Sequence, residues 1–404
     1  MTFLDGAREI GGELVELRRA LHREPEVGLR LPRTQDRVVA ALAGLGLEVG
    51  RGRTLSSVTA VLRGSARPAL PRPAVVLRAD MDALPVPEAA DVPFRSDADG
   101  VMHACGHDLH TAMLVGAARL LAARRSELPG DVVLMFQPGE EGYDGARHML
   151  DEGVLDAAGA TVSAAYAVHV TSSLLPRGVV ATRSGPLLAA GDGLFVTVRG
   201  RGGHGASPHL AADPIPAACE MVMALQTAMT RRLDPVRPAV LTVGRIWAGQ
   251  ERYVIPDEAR FEATVRTVDP QARAAVAVLA REVCTGIAAA HGVEVDVRFE
   301  TEYPLTVNDS AETERAREVA AALFGADRVL TLPNPLMASE DFARVLARVP
   351  GAMVLLGATA AGADPVAAAP NHSPRAVFDD AVVPAGAALL AGLAAARLRV
   401  AASG

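Results

Sequence analysis

Residues 74–84 read AVVLRADMDAL, a short run rich in β-favouring residues that ends in acids. Two later runs have the same character, DVVLMFQP at 131–138 and VSAAYAVHV at 162–170. Between the first two lies DLHTAMLVGAARLLAARR, residues 108–125, which keeps one apolar face at helical spacing. Asp108 stands where an N-cap carboxylate would accept from the first free N–H groups of that helix. Strand, helix and strand in alternation predict an α/β domain with a mainly parallel central sheet.

Outward from this centre, Leu14 to Leu21 carries apolar residues at helical spacing, and VVAALAGLGLEV from Val38 predicts a helix that stops at glycines before an extended piece. Residues 191–303 read differently. They predict a strand, a Gly-rich turn, a helix near Pro214–Arg231, two strands, a helix near Gln271–His291 and the strand VEVDVRFE, which is an αβ sandwich of two helices on a four-stranded sheet. After Pro304 the βα alternation returns, with a strand at MVLLGA near Met353 and an alanine-rich helix from about Asp380. The first domain is therefore expected to be discontinuous, residues 1–190 and 304–404, with 191–303 as an inserted lid and dimerisation domain. No internal repeat stands out.

At 404 residues the chain has length for about two or three domains and a full hydrophobic core. Half the residues are apolar and 22% are charged, as in a soluble globular protein. All 40 basic residues are arginine, so a Walker A phosphate loop, a lysine Schiff base and a kinase-type ATP lysine are excluded. A net charge of −7 and a pI near 5.8 argue against nucleic acid as a partner. The N-terminal stretch lacks the pattern of a secretory leader, and no stretch of about 18 consecutive apolar residues follows, so the protein is expected to be cytoplasmic and away from membranes. Cys105, Cys219 and Cys284 are too few and too scattered for a disulfide framework.

The densest chemistry is in MHACGHDLH, residues 102–110, which holds His103, Cys105, His107 and His110. FQPGEEGYDGA at 136–146 adds Glu140 and Glu141, VHV adds His169, and PNHSP adds His372. Imidazole, thiolate and carboxylate form the zinc-type donor set, and these residues fall at strand ends and helix starts, where α/β folds build sites. Singly, each histidine reads as well as a hydrogen-bonded loop residue, and the Glu140–Glu141 pair as a solvated acidic pair.

Taken together and in this order, RADMDALP, HACGHD, FQPGEEGYDGA, VHV, RGRGGHGASPH, VIPD, SEDFA and NHSP closely resemble the metal-dependent amidohydrolases. That family includes aminoacylases, hippurate hydrolase, indoleacetyl-amino-acid hydrolases and acetyl-diaminopimelate deacetylase. The likeness runs from LRRALHREPE at 17–26 to the C-terminal strand and helix. It implies that Cys105, His107, Glu141, His169 and His372 bind two divalent metal ions, among zinc, manganese, cobalt or nickel, with Cys105 placed to bridge them. It implies that Asp82 orients the metal environment, and that Glu140 is the general base which takes a proton from the attacking water and passes it to the leaving amine. Adjacent glutamates with different tasks require a turn at Pro138 and Gly139. Related peptidases carry a histidine ligand two residues before the Asp82 position; here that residue is Asp80, read as non-ligating. His204, on a Gly-rich turn, is implied as the donor to the tetrahedral oxyanion, commonly across a dimer interface, with His209 the lesser candidate. Gly202, Gly203 and Gly205 would let backbone approach substrate.

Arg266 suits a substrate carboxylate or a structural ion pair equally. Asn308 is a substrate-side candidate, while Glu340 and Asp341 match family positions without individual roles. Tyr253 and Ala263 stand where the family pattern has asparagine and glycine, which bears on specificity rather than on metal hydrolysis. His22 and Glu26 read as structural, and Cys219 and Cys284 as core packing. The expected function is hydrolysis of the amide of an N-acyl amino acid or peptide-like small molecule by a homodimer joined through the insert. Its rivals are a dipeptidase or carboxypeptidase on the same centre, a metal-free cysteine hydrolase using Cys105, and a noncatalytic binding protein.

Overall fold

The computed structural model describes residues 2–66 and 72–401. The chain forms two compact units, one of Met1–Leu187, Val307–Pro333 and Arg344–Gly404, the other of Leu188–Thr306 and Asn334–Ala343. Sequence alone gave all of 304–404 to the first domain; residues 334–343 cluster instead with the second unit.

In the first unit, strands β1 (Glu48–Arg51), β2 (Val58–Leu62), β3 (Pro73–Asp80), β4 (Asp131–Gln137), β5 (Thr161–Thr171) and β6 (Val180–Thr182) join Val329–Thr331 and Gly351–Gly357. Among the described residues they make an eight-stranded sheet in the order β1, β2, β4, β3, β5, Gly351–Gly357, β6, Val329–Thr331. The central strands β4, β3, β5 and Gly351–Gly357 are parallel, while β2 and β6 run antiparallel to their inner neighbours. Every residue of β3 and β4 is buried, as expected for parallel strands covered on both faces.

Helices α1 (Phe3–Glu9), α2 (Gly11–Arg23), α3 (Pro32–Leu42) and α4 (His107–Ala122) pack in this unit with the C-terminal helix Val383–Ala401. The α3 helix begins at Pro32, six residues before the apolar run that announced it, because proline's fixed φ suits the first helical turn. Close packing of α2, α4 and the C-terminal helix depends on Gly116, where a Cβ would come within 2.6 Å of Leu14 and 2.7 Å of Ala387. The segment Asp380–Ala401 is long and apolar enough to cross a membrane, as is Pro270–His291, yet the C-terminal helix buries most of its apolar residues in the core of the first unit.

One correction concerns the start of α4. Its N-cap is Gly106, in the left-handed conformation at φ +86°, and Asp108 lies inside the first turn. The buried Asp108 carboxylate pairs instead with Arg18 (2.8 Å) and with Nδ1 of His22 (2.7 Å).

The second unit is the two-helix, four-strand sandwich read from sequence. Its antiparallel sheet runs Ala239–Ala248, Glu258–Thr267, Ala190–Arg199, Glu294–Tyr303. Helices Pro214–Arg232 and Pro270–His291 start with proline after Asp213 and Asp269, whose side chains accept first-turn N–H groups. Ala217, Ala218, Met221 and Leu225 of one helix and Val276, Ala280, Cys284 and Ala288 of the other share a core with Leu194, Val196 and Val198. Cys284 is therefore core, and burial pushes its thiol up to about 12. Cys219 corrects the sequence reading: it is exposed, one residue beyond the buried stripe.

Candidate metal centre

The parallel strands carry their C-terminal ends to one edge of the sheet, and the implied ligands gather there. Glu140 and Glu141 follow β4, His169 lies near the end of β5, Cys105 and His107 precede and begin α4, and His372 lies in the loop after Gly351–Gly357. Cys105 Sγ is 3.5 Å from His169 Nε2 and 3.3 Å from His372 Nε2. Glu141 Oε1 is 3.2 Å from His372 Nε2 and 3.9 Å from His107 Nε2. Donor atoms of Cys105, His107 and His169 lie within 4.8 Å of one another, as do those of Cys105, Glu141 and His372. Cys105 is common to both triads.

Tight backbone geometry makes this convergence possible. A Cβ at Gly106 would come within 2.4 Å of a Val170 methyl group, so only glycine lets the Cys105–His107 segment lie against the strand bearing His169.

Hydrogen bonds fix which ring nitrogen faces the cluster. His107 Nδ1 is 2.9 Å from the Asp82 carbonyl and His169 Nδ1 is 2.8 Å from the Val170 carbonyl. A carbonyl only accepts, so both Nδ1 atoms carry a proton and both Nε2 atoms face inward, the arrangement that outer hydrogen bonds impose on metal-binding histidines. His107 Nε2 is buried without a hydrogen-bond partner. Burial by itself would raise the Cys105 thiol, but His169 and His107 beside it hold it well below its ordinary value. Burial and then the Cys105 charge push Glu141 up to about 7, and contacts with Cys105 and Glu141 raise His372 to about 10. Thiolate, inward imidazoles and a carboxylate around an orphaned buried nitrogen fit a pair of divalent cations.

The expected turn between the two glutamates is present. Gly139 has φ +73°, and the Gly142 N–H donates to the Glu140 carbonyl. Asp82 spans the turn: its Oδ1 accepts the Glu140 N–H and its Oδ2 the Glu141 N–H, each at 3.0 Å. One buried carboxylate thus fixes both glutamates, and the Asp82 carbonyl fixes His107.

Asp80 and His110 also lie here, with donor atoms grouped with His107, but both are engaged elsewhere. Asp80 Oδ2 accepts from Arg78 at 2.6 Å and its Oδ1 from His110 Nδ1 at 2.5 Å. His110 Nε2 accepts the Val170 N–H at 2.8 Å, so its lone pair is taken. Burial holds the His103 ring neutral, at about 4. Asn308 departs from its expected substrate role. It is buried, with its amide bonded to Thr182 Oγ1, the Arg183 carbonyl and both backbone groups of Met353, which makes it a sheet-joining residue.

Two features escaped sequence reasoning. One is the buried Arg18–Asp108–His22–Glu88 network that braces the start of α4. The other is Asn371, whose amide reaches Cys105; its position beside His372 in PNHSP was the only signal.

In the second unit, His204 sits on the short strand Gly203–His204, paired with Val254–Ile255. Its Nδ1 accepts the Ala206 N–H at 3.1 Å, which leaves the proton on the exposed Nε2, the tautomer a hydrogen-bond donor needs. Two of the glycines here pack closely against backbone: a Cβ on Gly202 would lie 2.6 Å from the Ile255 carbonyl oxygen, and one on Gly205 3.0 Å from that of Tyr253. The Gly205 N–H donates to that same Tyr253 carbonyl, a contact independent of which side chain residue 253 carries. His209 is exposed on a turn of 3₁₀ helix. Arg266 passes over Gly191, where a Cβ would lie 2.5 Å from Nη1, and its charge acts on Glu302. Glu340 and Asp341 are both buried.

The family model described as Peptidase family M20/M25/M40 matches residues 76–396. The chain is 37% identical to thermostable carboxypeptidase 2 of Saccharolobus solfataricus over 94% of each chain. It is 38% identical to an N-acetylcysteine deacetylase of Bacillus subtilis, over 85% of this chain and 88% of that one. Among solved structures, a dinuclear metal-binding M20 peptidase of Bacillus subtilis superposes with a TM-score of 0.81 at 33% identity, covering 97% of this chain and 99% of the other.

Proposed function

We propose a substrate and residue roles for this chain, which belongs to Peptidase family M20/M25/M40 and is a metal-dependent hydrolase of amide bonds: it releases an amino acid from an N-acyl amino acid. The observation that carries this reading is the convergence of Cys105, His107, Glu141, His169 and His372 on one sheet edge, with Glu140 held beside Glu141. These five side chains would hold two divalent ions, which when bound polarise the scissile carbonyl and acidify water. Zinc, manganese, cobalt and nickel all suit a thiolate, imidazole and carboxylate set.

In this reading Glu140 takes the proton of the attacking water and hands it to the leaving amine. Asp82 keeps Glu140 and Glu141 in register, and His204 donates its Nε2 proton to the developing oxyanion. The similarity to a deacetylase supports an acyl amino acid, and the similarity to a carboxypeptidase supports a second reading in which the acyl part is itself a peptide. Protein stripped of metal is expected to lose hydrolysis of N-acetyl, N-benzoyl and dipeptide substrates and to regain it on reloading with zinc, manganese or cobalt. The best substrate decides between the two readings. Chelator-resistant, alkylation-sensitive turnover would transfer the chemistry to Cys105 as nucleophile.

We further propose a cytoplasmic homodimer joined through the second unit. A thiolate at the site's centre suits a reducing compartment. The edge strand Ala239–Ala248 has one paired side and exposes Val240, Ile246 and Trp247, which supports pairing with a second copy. His204→Ala is expected to lower turnover with metal content unchanged. Mixing it with a His107→Ala protein should restore part of the activity if His204 acts in the partner's site; no recovery from a verified mixed dimer rules that out.

A further inference from the structure

We infer that Asn371 is a positioning residue whose side-chain amide holds Cys105, His372 and the His169 strand in the register that binds metal. The inference rests on the metal-dependent reading above. Asn371 Oδ1 accepts from the Ser172 N–H at 2.9 Å and from Ser172 Oγ at 3.1 Å. Its Nδ2 donates to the Cys105 carbonyl at 3.2 Å and the Val170 carbonyl at 3.1 Å, and lies 3.7 Å from Cys105 Sγ. These partners fix the orientation of the amide, because the Ser172 N–H can only donate and the two carbonyls can only accept. One side chain therefore ties the segment before α4, the end of β5 and the loop carrying His372.

That loop needs such a tie. His372 has φ +69°, left-handed for a residue with a Cβ, and its N–H donates to the Ala104 carbonyl at 2.8 Å. A backbone in this region persists only where its surroundings over-determine it. Asn371 supplies that restraint one residue away, and its Nδ2, bonded to the Cys105 carbonyl and 3.7 Å from Cys105 Sγ, lies beside the sulfur shared by the two donor triads.

Asn371→Asp tests the assignment. The shape and the bonds from Ser172 are kept, but an oxygen replaces the donor facing two carbonyls and a thiolate. Wild-type protein loaded with cobalt should show a sulfur-to-cobalt charge-transfer band that Cys105→Ser abolishes. In folded Asn371→Asp that band should be lost or shifted, and affinity for at least one of the two ions should fall about 10- to 100-fold. A purely structural role would lower the melting temperature of the metal-free protein and leave band and affinity unchanged, and that result overturns the inference. Ser172→Ala, which removes the hydroxyl shared between Asn371 Oδ1 and the Ala369 carbonyl, should move both readouts in the same direction by less. If Asn371→Asp does not fold, wild-type affinity and band in Ser172→Ala overturn the inference. A wild-type protein with no band dependent on Cys105 would instead sink the metal assignment itself, and the role of Asn371 with it.

Discussion

Glu140→Gln is expected to lower turnover about 100- to 10,000-fold, the ordinary contribution of a general base, with metal content unchanged. Glutamine keeps the shape of the side chain and the Glu140 N–H to Asp82 Oδ1 bond, so the turn stays as it is. What is lost is an atom able to take a proton from water and return it to the amine. Turnover measured against metal content by elemental analysis separates this loss from a loss of ions. A variant close to wild type at equal metal content would remove Glu140 from the chemistry.

Asp82→Ala is expected to act through geometry and to be nearly as severe. It frees the Glu140 and Glu141 N–H groups together, and a buried donor left unpaired costs roughly 1 to 3 kcal/mol. The turn that separates the tasks of the two glutamates then relaxes, and metal affinity should fall about 10- to 100-fold, as for other outer-shell partners. Asp82→Asn keeps one acceptor and should fall between the two. Titration with metal and denaturant unfolding check both effects; wild-type values in the alanine variant would mean that the turn stands without the carboxylate.

Much of this was legible in the chain itself, for physical reasons that also mark where legibility ends. β3 and β4 announce themselves because complete burial demands apolar residues in succession, and β5 does so through its buried middle. Cys105, His107 and the glutamate pair are visible because their spacing is local and their chemistry unusual. The partners that orient them are not visible. Asp108 looks like a helix cap until Arg18 and His22, about ninety residues earlier, are found against it. Asn308 looks like a site residue because polarity alone does not reveal that Thr182 and Met353 engage its whole amide. Asn371 passed unremarked beside a histidine, since its value lies in bonds to residues some 200 to 270 positions away.

The place of Gly351–Gly357 between β5 and β6 sets an order of events in synthesis. An emerging chain of 187 residues holds β1 to β6 but lacks the strand that joins β5 to β6, and it presents open edges and uncovered apolar faces until that strand arrives. Contacts of such long sequence separation form slowly. The donors span the same interval, Cys105 early and His372 late, so the complete ligand set exists only once nearly the whole polypeptide has been made. Cys105, His107, Glu141 and His169 are made early and His372 last, so the Cys105–Glu141–His372 triad is the part of the site whose completion is tied to the last steps of folding.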